Sequence, residues 1–299
     1  MKARYVNPFT DFGFKKIFGE EASKPMLIDF LTSLLPESKI VDLAFKDKEK
    51  LGRSDEDRRA IYDIYCETAS GEKIIVELQK AKQKYFKDRT VYYASFPIQE
   101  QAERGDWNYQ LKYVYCVGVL DFRFEDEQVG NGEVIHSIQL KDQNNQVFYD
   151  KLKFVYLEMP NFNKSEAELA TRLDKWLYFI KYLEDFQNIP DIFGDEIFKQ
   201  AFEKAEIANY SSEERDEYEQ SLKAYRDLKG VIDNAFDEGI EKGKIEGKIE
   251  GKIEGKIEGK IEGKIEGKFE VAKSMKMAGE PIAKIMLYTG LSEEEINEL

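Results

Sequence analysis

Apolar residues near the start of the chain recur at helical spacing. This pattern predicts helices over residues 7–18 and 25–35. In the first of them, Thr10 or Asp11 is placed to cap the helix N-terminus. A short apolar run over residues 40–45 then predicts the first strand. The N-terminal segment is therefore expected to lead from two helices into a sheet.

Two strand-like runs around a Ser-Gly turn, IYDIYCETASGEKIIVELQ, predict a β-hairpin. The charged stretch over residues 46–60 is expected to be a loop that leads into it. A hairpin loop of three or five residues, with Gly71 in a left-handed conformation, would place Asp63 directly opposite Glu77. Gln79 follows on the same face. A loop of two residues would instead place the two carboxylates on opposite faces.

The pattern after the hairpin predicts a mixed α/β (α+β) core followed by helices. A helix is expected over residues 85–103. The apolar run over residues 112–122 is typical of a buried central strand. Strands around residues 133–140 and 147–157 extend the sheet, and helical spacing dominates residues 165–229.

The sequence from Gly243 to Phe269 repeats Gly-Lys-Ile-Glu with a strict period of four. On a helix, Lys would face Lys and Glu would face Glu one turn away, and each glycine would cost about 1 kcal/mol relative to alanine. An isolated helix would therefore be marginal. The isoleucine stripe favours helix association, so the segment is interpreted either as an oligomerisation helix or as an expanded spacer.

Two or three short helices are predicted after the repeat, with Ser292 and Glu295 as a capping box. Their spacing resembles a helix-turn-helix. Three carboxylates begin the second helix of that unit and would repel phosphate, which favours packing or protein contact over DNA binding. The expected divisions are a core over residues 1–160, a helical extension over 161–241, the repeat over 242–269 and a small helical segment over 270–299.

The net charge and the distribution of basic and apolar residues limit which partners and which location are expected. The net charge of −14 argues against broad electrostatic adhesion to nucleic acid. The basic segment over residues 80–89 is nevertheless placed to meet phosphates, with Lys82 and Arg89 as candidates, and a solvated helix face is the alternative. The sequence shows no signal-peptide pattern and no apolar stretch long enough to span a membrane, so a cytoplasmic protein is expected.

The cysteine and histidine content excludes several kinds of site. Cys66 and Cys116 lie in apolar runs, which favours buried thiols over a disulfide or a zinc site. His136 is the only histidine and lies in an alternating run typical of a strand. Most Ser-His and Cys-His triads and His/Cys zinc sites need partners that this sequence lacks. If the protein is an enzyme, carboxylates and a metal are therefore the means of catalysis that the sequence favours.

Asp63 and Glu77 are the strongest candidates for that chemistry. Like charges opposite each other repel, and a divalent cation would offset the repulsion, since Mg²⁺ is bound by carboxylates and phosphates. The alternative is an ordinary hairpin with a solvated acidic face. Asp11 is either a helix cap or an additional acidic residue that holds a water or a second metal.

Four blocks in this order resemble the Rpn family: NPFTDFGFKKIFG, IYDIYCET, GEKIIVELQ and FKDRTVYYAS. These are the recombination-promoting nucleases, often labelled PD-(D/E)XK nuclease family transposases. The resemblance covers roughly residues 5 to 240. It implies a PD-(D/E)XK restriction-endonuclease-like core with a helical C-terminal extension.

The resemblance also implies roles for the hairpin residues. Asp63 and Glu77 become metal ligands, and Gln79 takes the catalytic position that a lysine usually holds. Tyr62 stands where the superfamily name implies proline. Glutamine can hydrogen-bond but carries no charge, so modest activity is expected.

The implied function is a Mg²⁺-dependent DNA endonuclease, with Mn²⁺ as a possible substitute, linked to DNA recombination or mobile elements. The alternative is a catalytically inactive DNA- or protein-binding module that uses the C-terminal repeat for assembly. A homo-oligomer formed through residues 242–299 is a further expectation.

Overall fold

The computed structural model describes residues 3–50, 60–102, 105–124 and 132–299, apart from the side chains of residues 49 and 50. The chain divides into two compact units, residues 1–230 and 231–299. None of the helices in these described ranges is long and apolar enough to cross a membrane.

The first unit begins with two helices and ends with the start of a long helix. Its elements, in chain order, are α1 (Asp11–Phe18), α2 (Lys24–Leu34), β1 (Leu43–Phe45), β2 (Glu49–Lys50), β3 (Ala60–Ile61), β4 (Ile64–Thr68), β5 (Lys73–Gln79), α3 (Phe86–Gln99), β6 (Val114–Leu120), β7 (Ile135–Lys141), β8 (Val147–Glu158), α4 (Arg172–Tyr182), α5 (Glu196–Ala205) and the N-terminal part of α6 (Ser212–Met277).

Six of these strands form one mixed sheet in the order β1-β4-β5-β6-β8-β7. The central strands β5, β6 and β8 are parallel, and the remaining pairs are antiparallel. Every residue of β6 is buried, as its continuous apolar run predicts. The predicted strands and the mixed α/β class are confirmed.

The prediction of a loop over residues 46–60 is wrong at both of its ends. Strand β2 pairs with β3 in a short antiparallel ladder. Lys46 N donates to Tyr65 O at 2.8 Å, and Tyr62 N donates to Lys48 O at 2.9 Å. A charged sequence can form such a ladder because the pairing uses backbone N–H and C=O groups, which every residue except proline carries. Residues 51–59 lie outside the described part of the chain.

The sheet carries an apolar layer on each face. Helices α1, α2, α4 and α5 cover one face around the fully buried Trp176, whose ring contacts Phe18 and Phe198. Helix α3 covers the other face, where Phe86 packs against Tyr156. Strand β5 alternates between these layers, because successive side chains of a strand point to opposite faces. Ile74, Val76 and Leu78 enter the first layer, and Ile75 enters the second.

The second unit consists of the remainder of α6, α7 (Ile282–Thr289) and α8 (Glu293–Asn297). The tetrapeptide repeat is helical throughout. Its isoleucines, from Ile245 to Ile265, are each 48% to 54% exposed. The six are Ile245, Ile249, Ile253, Ile257, Ile261 and Ile265.

The C-terminal helices of this unit enclose a small core of four buried side chains: Ala272, Ile285, Leu291 and Ile296. The predicted capping box is confirmed, with Ser292 N donating to Glu295 Oε2 at 2.7 Å. The separate helix expected after the repeat is instead the last part of α6. No glycine or proline interrupts the chain between Gly267 and the left-handed Gly279, so the helix continues.

Candidate active site

The hairpin of β4 and β5 has the register that its sequence predicts. Ile64 pairs with Val76, and Tyr65 pairs with Ile75. The turn closes through Thr68 N, which donates to Glu72 O at 3.0 Å. Gly71 has a φ of +87°, a left-handed conformation that glycine adopts without strain. Continuing this register by one residue places Asp63 beside Glu77.

Each carboxylate of the pair accepts a hydrogen bond from a backbone N–H of the opposite arm of the hairpin. Asp63 N donates to Glu77 Oε1 at 3.3 Å, and Leu78 N donates to Asp63 Oδ2 at 2.7 Å. One oxygen of each carboxylate is therefore engaged, while Asp63 Oδ1 points toward a lysine ammonium. This reciprocal arrangement fixes the pair at the end of the hairpin ladder.

Burial and mutual repulsion make this pair difficult to ionise fully. Removal from water raises the pKa of Glu77 to about 8, and the charge of Asp63 adds to the increase. Burial likewise raises the pKa of Asp63, although its hydrogen bond from Leu78 N opposes the change. Without a cation, the pair therefore retains a proton near neutral pH.

Cationic side chains from separate elements surround the pair. Lys15 Nζ, on α1, lies 3.8 Å from Asp63 Oδ1. Lys48 comes from the stretch before β2, and its pKa is lowered by burial and by the charge of Lys15, against an opposing effect of Asp63. Neither lysine is among the site residues that the sequence predicts. A usable signal for Lys15 is its position one helical turn after Asp11, within the block that resembles the Rpn family.

A densely hydrogen-bonded segment fixes α1 in this position. Thr10 Oγ1 accepts from Gly13 N at 3.0 Å and donates to Asn7 O at 2.7 Å, so Thr10 is the N-cap. Asn7 Nδ2 donates to Glu184 Oε2 at 2.6 Å. A Cβ at Gly13 would collide with the backbone oxygen of Asn7. These contacts hold the helix that carries Lys15 beside the hairpin.

Asp11 is not the N-cap of α1, because Thr10 is, while its role as an additional acidic residue stays a prediction. It lies in the first turn of α1, after the cap, and its side chain is 58% exposed. Its Oδ1 lies 2.9 Å from Lys80 Nζ. The charge of Asp11 still contributes to the raised pKa of Asp63. Asp11 is therefore within electrostatic reach of the carboxylate pair while its own carboxylate is bonded to Lys80.

Gln79 and Arg89 lie on the α3 side of β5. Both line a narrow pocket of about 20 Å³ together with Glu77. Gln79 is only 7% exposed. Arg89 donates from Nη1 to Gln83 Oε1 at 2.7 Å, and its buried Nε has no acceptor among the described residues. The charge of Arg89 lowers the pKa of Glu77, against the larger effects of burial and Asp63.

Lys82, the other predicted phosphate-binding residue, lies in the segment before α3. It lines an open cleft of about 340 Å³ with Lys84 and Lys87. Lys82 is exposed, as a surface cation must be to reach a phosphate. The structure thus brings Arg89 close to the carboxylates and places Lys82 on a separate cleft.

The donor set fits a divalent cation of the magnesium type. Mg²⁺ is commonly held by one or two carboxylates, with water and substrate phosphates completing its shell. Asp63 and Glu77 supply two adjacent hard oxygen donors whose repulsion a cation would relieve. Across the described ranges, no group of three or more His, Cys, Asp or Glu side chains is arranged to hold a metal. The two carboxylates therefore suit a metal site in which water and a substrate phosphate would supply the remaining ligands.

The histidine and the two cysteines are buried and lie outside the carboxylate pair. His136, in β7, has Nε2 3.2 Å from Oε1 of the fully buried Glu158. The same carboxylate accepts from Phe124 N at 3.0 Å and from Asn161 Nδ2 at 2.6 Å. Cys66 and Cys116 are buried free thiols, and burial raises the pKa of Cys66 to about 12.

Comparisons with curated proteins and with solved structures find no match to this chain. A family model does match, and its range contains α1, the hairpin, α3 and the whole sheet. That model is described as PD-(D/E)XK nuclease family transposase and matches residues 8–235. This range is most of the 299-residue chain and includes Asp63, Glu77 and Gln79. The chain therefore belongs to the PD-(D/E)XK nuclease family transposases.

Proposed function

We propose that this protein is a DNA endonuclease that hydrolyses phosphodiester bonds with Mg²⁺, or Mn²⁺, held by Asp63 and Glu77. The observation that carries the proposal is the partly buried carboxylate pair, in which burial raises the pKa of both groups and the charge of Asp63 adds to the rise at Glu77. The nearby lysines and Arg89 do not fully offset the burial of this pair, because the pKa of both carboxylates is still raised, and a divalent cation would offset it more fully. Membership of a nuclease family makes phosphodiester chemistry the natural use of such a site.

The protein side chains have distinct roles in this proposal. Asp63 and Glu77 hold the cation, which when bound lowers the pKa of a coordinated water and offsets charge on the phosphate. Gln79 donates a hydrogen bond from its amide to the attacking water or to a phosphate oxygen. Gln79 cannot supply the positive charge of the usual lysine.

Lys15 is the residue best placed to supply that charge. Its ammonium lies 3.8 Å from Asp63 Oδ1 and belongs to a helix fixed by the hydrogen bonds of Thr10 and Asn7. A phosphate bound beside the carboxylate pair would meet this ammonium as well as the guanidinium of Arg89. We infer that Lys15 of α1 contributes the positive charge that Gln79 of β5 lacks. This charge lowers the barrier to hydrolysis because negative charge develops on the phosphate in the transition state.

DNA is the proposed partner despite the acidic net charge. A short-range attraction is sufficient when cations are concentrated where phosphates must bind. Lys15, Lys48 and Arg89 all interact electrostatically with the carboxylate pair. The remainder of the acidic surface would disfavour binding of DNA elsewhere on the protein.

Residues 242–299 are proposed to join copies of the chain. Successive helical residues are separated by about 100°, so the isoleucine stripe has a lysine stripe on one side and a glutamate stripe on the other. Two parallel repeat helices would place glutamates of one beside lysines of the other, whereas antiparallel helices would place like charges together. Light scattering of the wild type and of an Ile249→Ser, Ile253→Ser, Ile257→Ser variant tests this. A dimer that becomes a monomer is expected, and equal masses would contradict the proposal.

Cleavage of supercoiled plasmid by purified protein tests the proposed activity. We expect nicking with Mg²⁺ or Mn²⁺, no nicking with EDTA, and loss of nicking in Asp63→Ala and in Glu77→Ala. Ser70→Ala, at the exposed hairpin turn, is purified in the same way and serves as the control variant, which should nick plasmid like the wild type. Nicking that persists in both carboxylate variants, or its absence in the wild type at every metal concentration, would favour an inactive binding module.

A further inference from the structure

The outer side of α3 presents two tyrosines beside basic residues. Tyr85, which precedes the first residue of α3, is 62% exposed, and Tyr92 is 43% exposed. They are seven residues apart, so they lie on one side of the helix at Cα positions about 10 Å apart. Both line an open cleft of about 720 Å³ together with Lys84 and Arg89. We refer to Tyr85, Tyr92, Lys84 and Arg89 as the tyrosine ledge.

The tyrosine ledge adjoins the carboxylate pair through Arg89. This residue lines the open cleft and also the narrow pocket that Glu77 and Gln79 line. The electrostatic interaction of Arg89 with Glu77 is a second sign of their proximity. A polymer that contacts Arg89 from the cleft would therefore lie next to the proposed cleavage site.

The chemistry of the ledge combines flat aromatic faces with cations. Lys84 Nζ lies 5.4 Å from the Tyr85 ring centroid, and the Arg89 guanidinium carbon lies 5.4 Å from the Tyr93 ring centroid. Tyrosine and arginine planes stack on nucleobases, while lysine and arginine bind the intervening phosphates. Asp88 is the one acidic residue that lines this cleft in the described part of the chain.

A duplex cannot use such a surface fully, because neighbouring base pairs already cover the faces of its bases. Unpaired bases can leave the stack and lie on an aromatic side chain. Stacking also tolerates any base, since each has a flat face. The ledge therefore distinguishes between paired and unpaired nucleic acid without reading a sequence.

We propose that the tyrosine ledge binds unpaired bases, and that the preferred substrate is single-stranded DNA or a single-stranded segment within a duplex. This inference rests on the proposed function for its reaction, but its binding step needs no catalysis. The strand would stack bases on Tyr85 and Tyr92 while Arg89 directs a phosphate toward the carboxylate pair.

Binding can be measured separately from cleavage by fluorescence anisotropy in EDTA, with the full-length protein. The probes are a labelled 16-nucleotide single strand of mixed sequence and the same strand annealed to its complement. We expect the double variant Tyr85→Ala, Tyr92→Ala to weaken binding of the single strand by about 5- to 100-fold, and binding of the duplex by about twofold or less.

Two controls separate stacking from loss of structure. The variant Tyr85→Phe, Tyr92→Phe keeps both rings and is expected to bind the single strand within about twofold of the wild type. Tyr109→Ala removes another tyrosine, 78% exposed and outside the ledge, and is expected to leave binding unchanged. Loss of single-strand binding in the phenylalanine variant would overturn the stacking role.

Other outcomes would also overturn the inference. Equal weakening for both probes would make the ledge a general phosphate-binding surface. Unchanged binding in the alanine variant, with a change in its oligomeric state, would identify the ledge as a protein contact. If the predicted binding is found but plasmid and single-stranded DNA are never cleaved, the ledge stands and the proposed nuclease activity fails.

Discussion

Acidic side chains occur in two contrasting settings in this protein. Asp63 and Glu77 are brought together by a hairpin and are largely removed from water, which raises the pKa of each. The glutamates of the tetrapeptide repeat, such as Glu250 and Glu254, lie one helical turn apart and are exposed to solvent. The same functional group is thus shielded from water in one unit and solvated in the other.

The difference between the two settings comes from packing rather than composition. Glu77 is held among Ile75, Gln79 and Arg89, where each neighbouring side chain has a distinct position. In the repeat, a methyl group added at Gly251 would meet open space, with no atom of another described element within 4 Å. Restricted access to water is thus what separates the carboxylates of the hairpin from those of the repeat.

The largest expected effect is on catalysis by the carboxylate pair. Glu77→Gln keeps the shape of the side chain but removes a charged metal ligand, so we expect the rate of plasmid nicking to fall at least about 100-fold. Glu250→Gln makes the same chemical change in the repeat and should leave the rate unchanged. If a timed cleavage assay gave comparable rates for the two variants, the buried Glu77 would matter no more for cleavage than the exposed Glu250.

A smaller catalytic effect is expected from Lys15, and the adjacent Lys16 provides the matched control. Lys15→Met removes the ammonium beside Asp63, and we expect kcat to fall about 10- to 100-fold with little change in Mg²⁺ affinity. Lys16 instead pairs with Glu20 and Glu214. Lys16→Met should therefore lower the melting temperature while nearly preserving kcat.

Steady-state cleavage and thermal unfolding of both variants make this comparison. A normal kcat in Lys15→Met would refute the idea that α1 supplies the missing charge. An equal loss of kcat in Lys16→Met, at a temperature where both variants are folded, would show that the effect is indirect.

The free energy of unfolding should depend on pH through Glu77. Its pKa is about 8 when folded, against about 4.3 in an unfolded chain, so the folded state holds the extra proton between these values. Stability is then lost as pH rises from the unfolded to the folded pKa, and the loss levels off above the latter. In EDTA, Glu77→Gln should therefore exceed the wild type in stability at pH 8 by roughly 1–3 kcal/mol.

Guanidinium unfolding at pH 5 and at pH 8 measures this difference. The gain of Glu77→Gln over the wild type should be small at pH 5 and larger at pH 8. A gain that is equal at both values would show that repulsion and burial of the carboxylate do not limit stability.

The smallest expected effect comes from glycine substitution. Gly251→Ala places its methyl group in open space and replaces a poor helix former, so it should stabilise the repeat helix by up to about 1 kcal/mol. Gly13→Ala would collide with the backbone oxygen of Asn7 and should destabilise the first unit. Circular dichroism during thermal unfolding records both changes. A neutral Gly13→Ala would mean that the segment before α1 is less constrained than its contacts indicate.

Local sequence signals are sufficient for much of the hairpin and sheet. Gly71 and the alternation of the flanking strands specify both the loop and the register, and these are confirmed. The apolar run of β6 specifies a buried central strand because every position is hydrophobic or glycine. Such features depend on residues close to one another in the chain, so their physical causes are visible in the sequence.

Features that depend on tertiary contacts could not be derived in this way. Lys15 approaches Asp63 because α1 packs beside the hairpin, and Lys48 does so because of the β2–β3 ladder. The sequence around a lysine has no local pattern that reveals such a partner. The continuation of α6 through residues 269–277 also differs from the prediction. There, the turn residues that end a helix come later than the change in sequence pattern suggests.

A divalent cation held by Asp63 and Glu77 is expected to displace the proton that the carboxylate pair retains. Isothermal titration calorimetry of Mg²⁺ and Mn²⁺ at pH 7, in two buffers of different ionisation enthalpy, measures the protons released on binding. We predict one site per chain, release of a substantial fraction of a proton, and loss of both binding and release in Glu77→Gln. Binding without proton release, or binding that persists in Asp63→Ala and Glu77→Gln alike, would show that the carboxylate pair does not hold the cation as proposed.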